Sequence, residues 1–480
     1  MSSTLTAGVK RIDITPPVGF RMQGIMSRTE GAAGVESNLL ATLLVLADDH
    51  TTVVLVDCDL IGFDPPLAAE IRQEIGGRVG TPATHVALGC THTHNGPCTS
   101  RGNLGGVHDV GGDADERAAL DCYIETLKAQ LAGAAAEASR GALPARVGAG
   151  GSAAAVAINR EELADDGRVL VGRNPDGITD HNVEVLRVDD REGNPIAVVT
   201  GYAAHPVVMG QRSYLLSQDF PGVTRRVVEA ATGATCLYFT GAAGNQAALS
   251  FLQHDSGEMA RMGGQVGAAA AKAFFEIETR PHDVVREVSA SLSALALYRK
   301  EFRDGPSHDL FRVAHRQVDV PLQPLPTAAA ATAQLQAADE ALKELEARGA
   351  PTSQIYPARM AQNWSRTVLT KVEQGLTSEH LSFEIVGYRI DDFVLAGMPG
   401  EPFVEIGLGV KGLSDDLVTL FAGYCNGVLA YWPSAETVKQ GGMSVSSAVM
   451  SYHISAPPTA ATVDIIVSAF AELYKELGVE

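Results

Sequence analysis

Two rhythms of apolar and polar positions run along this chain. Short β-rich apolar runs, TTVVLVDCDL (51–60), THVALGC (84–90), ARVGAG (145–150) and CLYFTG (236–241), predict buried strands. Stretches of helical spacing lie between them: PPLAAEIRQEIGG (65–77), residues 116–139, PGVTRRVVEAAT (221–232) and residues 258–278. Pro opens the first and third of these and Gly closes the first, as helix ends prefer. VEVLRV (183–188) and PIAVVTGYAA (195–204) flank DDREGN and predict a hairpin. Alternating strands and helices with one hairpin predict an α/β fold, a mixed central β-sheet flanked by helices.

The second half continues the pattern with one addition. Residues 284–299 alternate apolar and polar, which predicts a strand in a half-exposed sheet. Residues 328–348 are rich in Ala, Glu, Gln and Leu and predict a helix, paired across GAPTSQ with a second helix at 357–374. Together they predict a helical-hairpin insertion over about 326–376. Strands are predicted at 382–390, 393–400 and 418–426, and an amphipathic helix at 461–476. With no internal repeat and no long linker, the expectation is a single large α/β domain over 1–480 that carries this insertion.

Composition narrows the function. Hydrophobic residues make up 45% of the 480 positions and charged residues 20%, a globular balance. The formal net charge of −20 repels phosphate backbones and anionic lipid, so no nucleic-acid partner and no stable membrane insertion are expected. The six cysteines show no CxxC spacing and no disulfide framework. The first residues carry no apolar leader pattern, and a cytoplasmic location is the default expectation.

Three segments carry chemistry. THVALGC runs straight into THTHNGP, so His92 and His94 follow a strand end, where ligand sites of open α/β sheets lie. In extended backbone, residues two apart project to one side, so both rings can reach one metal or substrate. His205 ends the apolar run VVTGYAA and precedes Pro206, repeating that pattern. Glu401 follows FVLAGMPG at a third strand end, with Glu405 four residues on. Two imidazoles and a carboxylate suit catalytic zinc, which keeps a position for water. Each residue also has a plain structural reading, as a turn histidine, a strand-end histidine or a helix N-terminal acid. Asp59, Asp13 and Asp219 can either orient an imidazole or cap local backbone. The Gly-rich loop 98–115 reads as a lid or as surface, and lacks the GxxxxGK[ST] of a phosphate loop.

Ordered matches across the chain resemble the N-terminal catalytic domain of the neutral/alkaline non-lysosomal ceramidase family. They are AGVKRIDITPPVG (7–19), THTHNGP (91–97), INR (158–160), AAHPV (203–207), QDFPG (218–222), GAAGN (241–245), MPGE (398–401) and GYCNGVLAY (423–431). The resemblance implies one zinc per chain held by His92, His205, Glu401 and Tyr431, with His94 and Arg160 as catalytic residues beside it. Two departures stand out: the family's GDVSPN-like serine segment reads GAAGNQAAL here, and QGGMSVSSA stands where the family has a further tyrosine. The expectation is therefore a short cytosolic relative, a hydrolase that uses zinc-activated water to cut a linear amide (C–N) bond in a small soluble substrate. A zinc-dependent esterase or lactonase, a dinuclear site, and an inactive ligand-binding relative are the alternatives, and a homo-oligomer is left open.

Overall fold

The computed structural model describes residues 4–100, 114–290, 293–305 and 308–479. Its larger sheet has eight strands, in the order Thr235–Thr240, Pro195–Tyr202, Asn182–Asp190, Leu143–Ala153, Thr6–Asp13, Leu40–Ala47, Thr52–Cys58 and Val86–Cys90. The outermost pair at each end is parallel and the pairs between are antiparallel, so the sheet is mixed. The hairpin expected across DDREGN is present as Asn182–Asp190 against Pro195–Tyr202.

A second sheet of four strands runs Phe311–Pro321, His380–Ile390, Phe393–Gly397 and Val418–Ala422, with the last pair parallel. The two sheets pack face to face. Leu44, Leu46, Val53, Leu55 and Ala87 of the first meet Val386, Leu395 and Leu420 of the second in one buried cluster. The neighbouring residues Leu43, Val45, Val54, Val56 and Leu88 point the other way, onto helices Pro65–Val79 and Ala114–Arg140. Strand side chains alternate between faces, so a run apolar at every position is what a strand buried on both sides requires. Helices Asp219–Thr232 and Ser256–Glu276 cover the rest of that outer face. Val404–Lys411 and Thr462–Glu476 cover the outer face of the second sheet. The layers thus run helix, sheet, sheet, helix.

The helical hairpin is Ala328–Ala347 and Thr352–Glu373. Its second helix starts five residues before the expected 357, because Pro351 opens it and Pro357 is accommodated inside the first turns. Residues 284–299 are not one strand but most of two, His282–Ala290 and Ala294–Phe302, which among the described residues pair only with each other. Among the described residues, no helix is long and apolar enough to cross a membrane.

Candidate metal centre

The site lies where strands of both sheets end. Val86–Cys90 and Pro195–Tyr202 of the large sheet deliver His92, His94 and His205. Phe393–Gly397 and Val418–Ala422 of the small sheet deliver Glu401, Tyr424 and Tyr431. A short parallel bridge sets Glu401 directly beside Tyr431 in register. His92 itself sits in the left-handed region at φ 63°, as do Tyr424 at 53° and Asn426 at 65°. Asn tolerates that region and His and Tyr do so rarely, so the backbone is held there by its surroundings. Asn426 is part of that hold. Its N–H donates to Leu88 O at 2.8 Å and its Oδ1 accepts from Leu88 N at 2.9 Å, tying the two sheets together beneath His92.

All three rings are oriented by backbone carbonyls. Nδ1 of His92 faces Ile61 O at 2.6 Å, Nδ1 of His205 faces Ala243 O at 2.6 Å, and Nδ1 of His94 faces Gly24 O at 3.0 Å. A carbonyl only accepts, so each Nδ1 carries the proton and each Nε2 presents a lone pair. The three ring donor atoms lie within 4.8 Å of one another. Glu401 Oε2 stands 3.1 Å from His205 Nε2 and 3.5 Å from His92 Nε2. These are acceptors facing acceptors, and the buried Nε2 atoms of His92 and His94 have no hydrogen-bond partner. Such an arrangement is unfavourable until a cation fills it.

Charge and burial agree with that reading. Burial pushes His205 down to about 4 and His94 well below the usual imidazole range, so both rings are neutral at pH 7. Burial opposes the charge on Glu401, and positive charge shared at the facing His92 and His205 Nε2 atoms, a proton or a cation, outweighs it and holds the carboxyl well below its usual range. Burial, reinforced by Glu401, pushes Tyr424, Tyr431 and Tyr452 well above the usual phenol range. Without an ion these hydroxyls stay protonated. Tyr452 donates to Glu401 Oε1 and Tyr424 to Oε2 at 3.4 Å.

Arg160 is buried beside them. Its Nη2 donates to Gly244 O at 2.7 Å and to Tyr431 Oη at 3.1 Å, and lies 3.4 Å from His205 Nε2. Of the predicted residues, His92, His94, Arg160, Glu401 and Tyr431 therefore line one cavity of about 160 Å³, and His205 lies buried behind them with Nε2 against Glu401. Met26, Ile61, Met443 and Ala448 form its apolar wall. Two larger cavities, about 740 and 610 Å³, lie elsewhere and contain none of these donors.

Several expectations change. Asp59 orients no imidazole: it binds Arg225 at 2.6 Å and Leu40 N at 2.9 Å, because backbone carbonyls already occupy every Nδ1. Asp13 caps Thr15 N, and Asp219 accepts from the backbone N–H of Met209 and Phe220. Glu405 turns away to Asn245 Nδ2. Tyr452 was not foreseen, since it lies well past the tyrosine position that the resemblance called for. Of the loop 98–115, residues 101–113 lie outside the described residues.

Comparison with family models matches residues 5–261 to "Neutral/alkaline non-lysosomal ceramidase, N-terminal". The chain belongs to this family. Its similarity to "Neutral ceramidase B" of Dictyostelium discoideum is 26% identity over 234 residues, 46% of this chain and 31% of that protein. The match thus spans less than a third of that relative's length. Among solved structures, "Ceramidase complexed with C2" aligns with 99% of this chain and 75% of its own at TM-score 0.65 and 15% identity. The neutral ceramidase from Pseudomonas aeruginosa aligns with 100% of this chain and 76% of its own, at TM-score 0.63 and 17% identity. The ceramidase fold is thus present from end to end of the chain.

Proposed function

We propose that this chain is a zinc-dependent hydrolase of an amide (C–N) bond, with His92, His205, Glu401 and Tyr431 holding one zinc ion. The observation that carries the reading is the convergence of the His92, His94 and His205 Nε2 atoms, the first and second without a hydrogen-bond partner, beside the buried Glu401 carboxylate. Membership of the ceramidase family supports amide cleavage. Imidazole nitrogen and carboxylate oxygen are ligands that zinc prefers. When bound, zinc supplies Lewis acidity toward a carbonyl and lowers the pKa of water.

The chain's own residues do the rest. Arg160, pinned by Gly244 O, keeps Tyr431 Oη aimed at the donors and places a fixed positive charge where a carbonyl oxygen gains negative charge. His94, held through Nδ1, offers an open Nε2 that takes a proton from water and passes it to the leaving amine. Met26, Ile61 and Met443 exclude water around the reacting carbonyl. A cavity of about 160 Å³ is smaller than the roughly 300–1,000 Å³ typical of ligand pockets, which favours a small substrate over a long-chain lipid amide.

The test pairs two readouts. Purified protein is assayed for zinc by elemental analysis and for turnover on matched short-chain amides and esters. One zinc per chain and amide turnover, both lost in His92→Ala and Glu401→Ala, is the expected result. Full zinc and full turnover in both variants would rule the site out. Turnover of esters alone would favour the esterase reading.

A further inference from the structure

The strands His282–Ala290 and Ala294–Phe302 form a two-stranded sheet apart from the other sheets. Every side chain of the second strand is exposed. Val284, Val288 and Tyr298 are 63%, 61% and 66% exposed, and Leu295 and Leu297 are also open to solvent on the opposite face. A lone two-stranded hairpin is marginally stable in water. Among the described residues no further strand pairs with its outer edges, and such an edge is a template for another strand. The second strand, ALALYRKEF, contains no Pro and no Gly to interrupt such pairing.

We propose that the edge of Ala294–Phe302 pairs antiparallel with the same strand of a second copy, giving a closed two-fold dimer with a continuous four-stranded sheet. Charge chooses the occupant and the register. Ala294 to Tyr298 make one half apolar, and Arg299, Lys300 and Glu301 precede Phe302 in the other, so an antiparallel copy sets charged residues against apolar ones. With Tyr298 opposite Tyr298 of the second copy, Leu297 faces Arg299, Ala296 faces Lys300 and Leu295 faces Glu301. No like charges meet, and the long charged stems cover the apolar side chains. Moving the centre to Arg299 or Lys300 sets each of these cations against itself.

The other edge is less suited to the same pairing. Its three central registers oppose like charges: centring His282–Ala290 on Val285 sets Asp283 against Glu287, and centring it on Arg286 or Glu287 sets that residue against itself. Pairing through the Ala294–Phe302 edge alone closes at two copies, as a two-fold interface requires.

Sedimentation equilibrium of the full chain over a dilution series tests this. The wild type is expected at twice the 50.4 kDa chain mass. The double variant Ala296→Lys/Leu297→Arg puts cations opposite Lys300 and Arg299, and its dimer is expected to be about tenfold weaker or more. Leu297→Glu sits opposite Arg299 and is expected to remain dimeric. Circular dichroism melting of each variant confirms folding, since both positions are solvent-exposed. A monomeric wild type, or a double variant as dimeric as the wild type, overturns the proposal. Loss of the dimer in Leu297→Glu as well would contradict the register and so the edge pairing. Co-flotation of a monomer with phosphatidylcholine vesicles would assign the hairpin to a lipid surface instead.

Discussion

Glu401 is the most constrained side chain in the site. One oxygen takes the Tyr452 hydroxyl, while the other faces His92 and His205 and takes the weaker Tyr424 contact at 3.4 Å. Partners behind a ligand typically set metal affinity within about 10–100-fold. Tyr452→Phe is therefore expected to weaken zinc retention against a chelator by about tenfold or more, with the fold intact. Tyr424→Phe, losing a longer bond, should cost less. Equal retention in Tyr452→Phe and wild type would show that the hydroxyl does not hold the carboxylate. Asp219 allows a pH test. Burial raises its pKa from 3.8 to about 6, so the folded state binds its proton more tightly than the unfolded chain does. Its contribution is fully present below the unfolded value and is lost as pH rises to about 6. The stability difference between wild type and Asp219→Asn should shrink by about 2 kcal/mol from pH 4 to 7, measured by urea unfolding. Other buried acids cancel in that difference, and a pH-independent gap would refute the assignment.

Elements explain why the donors meet. The parallel strands of each sheet end at the same edge of the packed pair, and Asn426 links the sheets there through both hydrogen bonds to Leu88. Asn426→Ala would leave Leu88 N–H buried without its acceptor and force Ala to φ 65°. A loss of about 2–4 kcal/mol in unfolding free energy is expected, with reduced zinc content following from a displaced His92. Unchanged melting would mean that the tie contributes nothing. The helical hairpin also reaches the pocket wall: Trp364 Nε1 donates to Ile454 O at 2.6 Å, in the segment that supplies Tyr452.

At the scale of the whole molecule, the sequence reveals most strands, the helices and the hairpin insertion, because buried strands and amphipathic helices impose different periods. It does not reveal that the strands divide between two stacked sheets, since an apolar run is equally buried by a helix or a second sheet. Leu40–Ala47 went unmarked because its sequence, LATLLVLA, is rich in Leu and Ala, which favour helix, and lacks the alternation that would mark a strand. The 284–299 region was misread because the sequence between its two strands, residues 291–293, contains no Gly or Pro to announce a break. Strand ends and motif order picked out six residues that lie close together: five line the cavity and His205 contacts Glu401. Tyr452 was not, because its approach to Glu401 depends on the path of an irregular segment rather than on any spacing.

The most direct measurement is anomalous X-ray diffraction at the zinc edge from crystals of the native protein. The account predicts one peak per chain within bonding distance of His92 Nε2, His205 Nε2, a Glu401 oxygen and Tyr431 Oη, with His94 beside it. Two peaks sharing His92 and His94, or a peak away from all four donors, would contradict it.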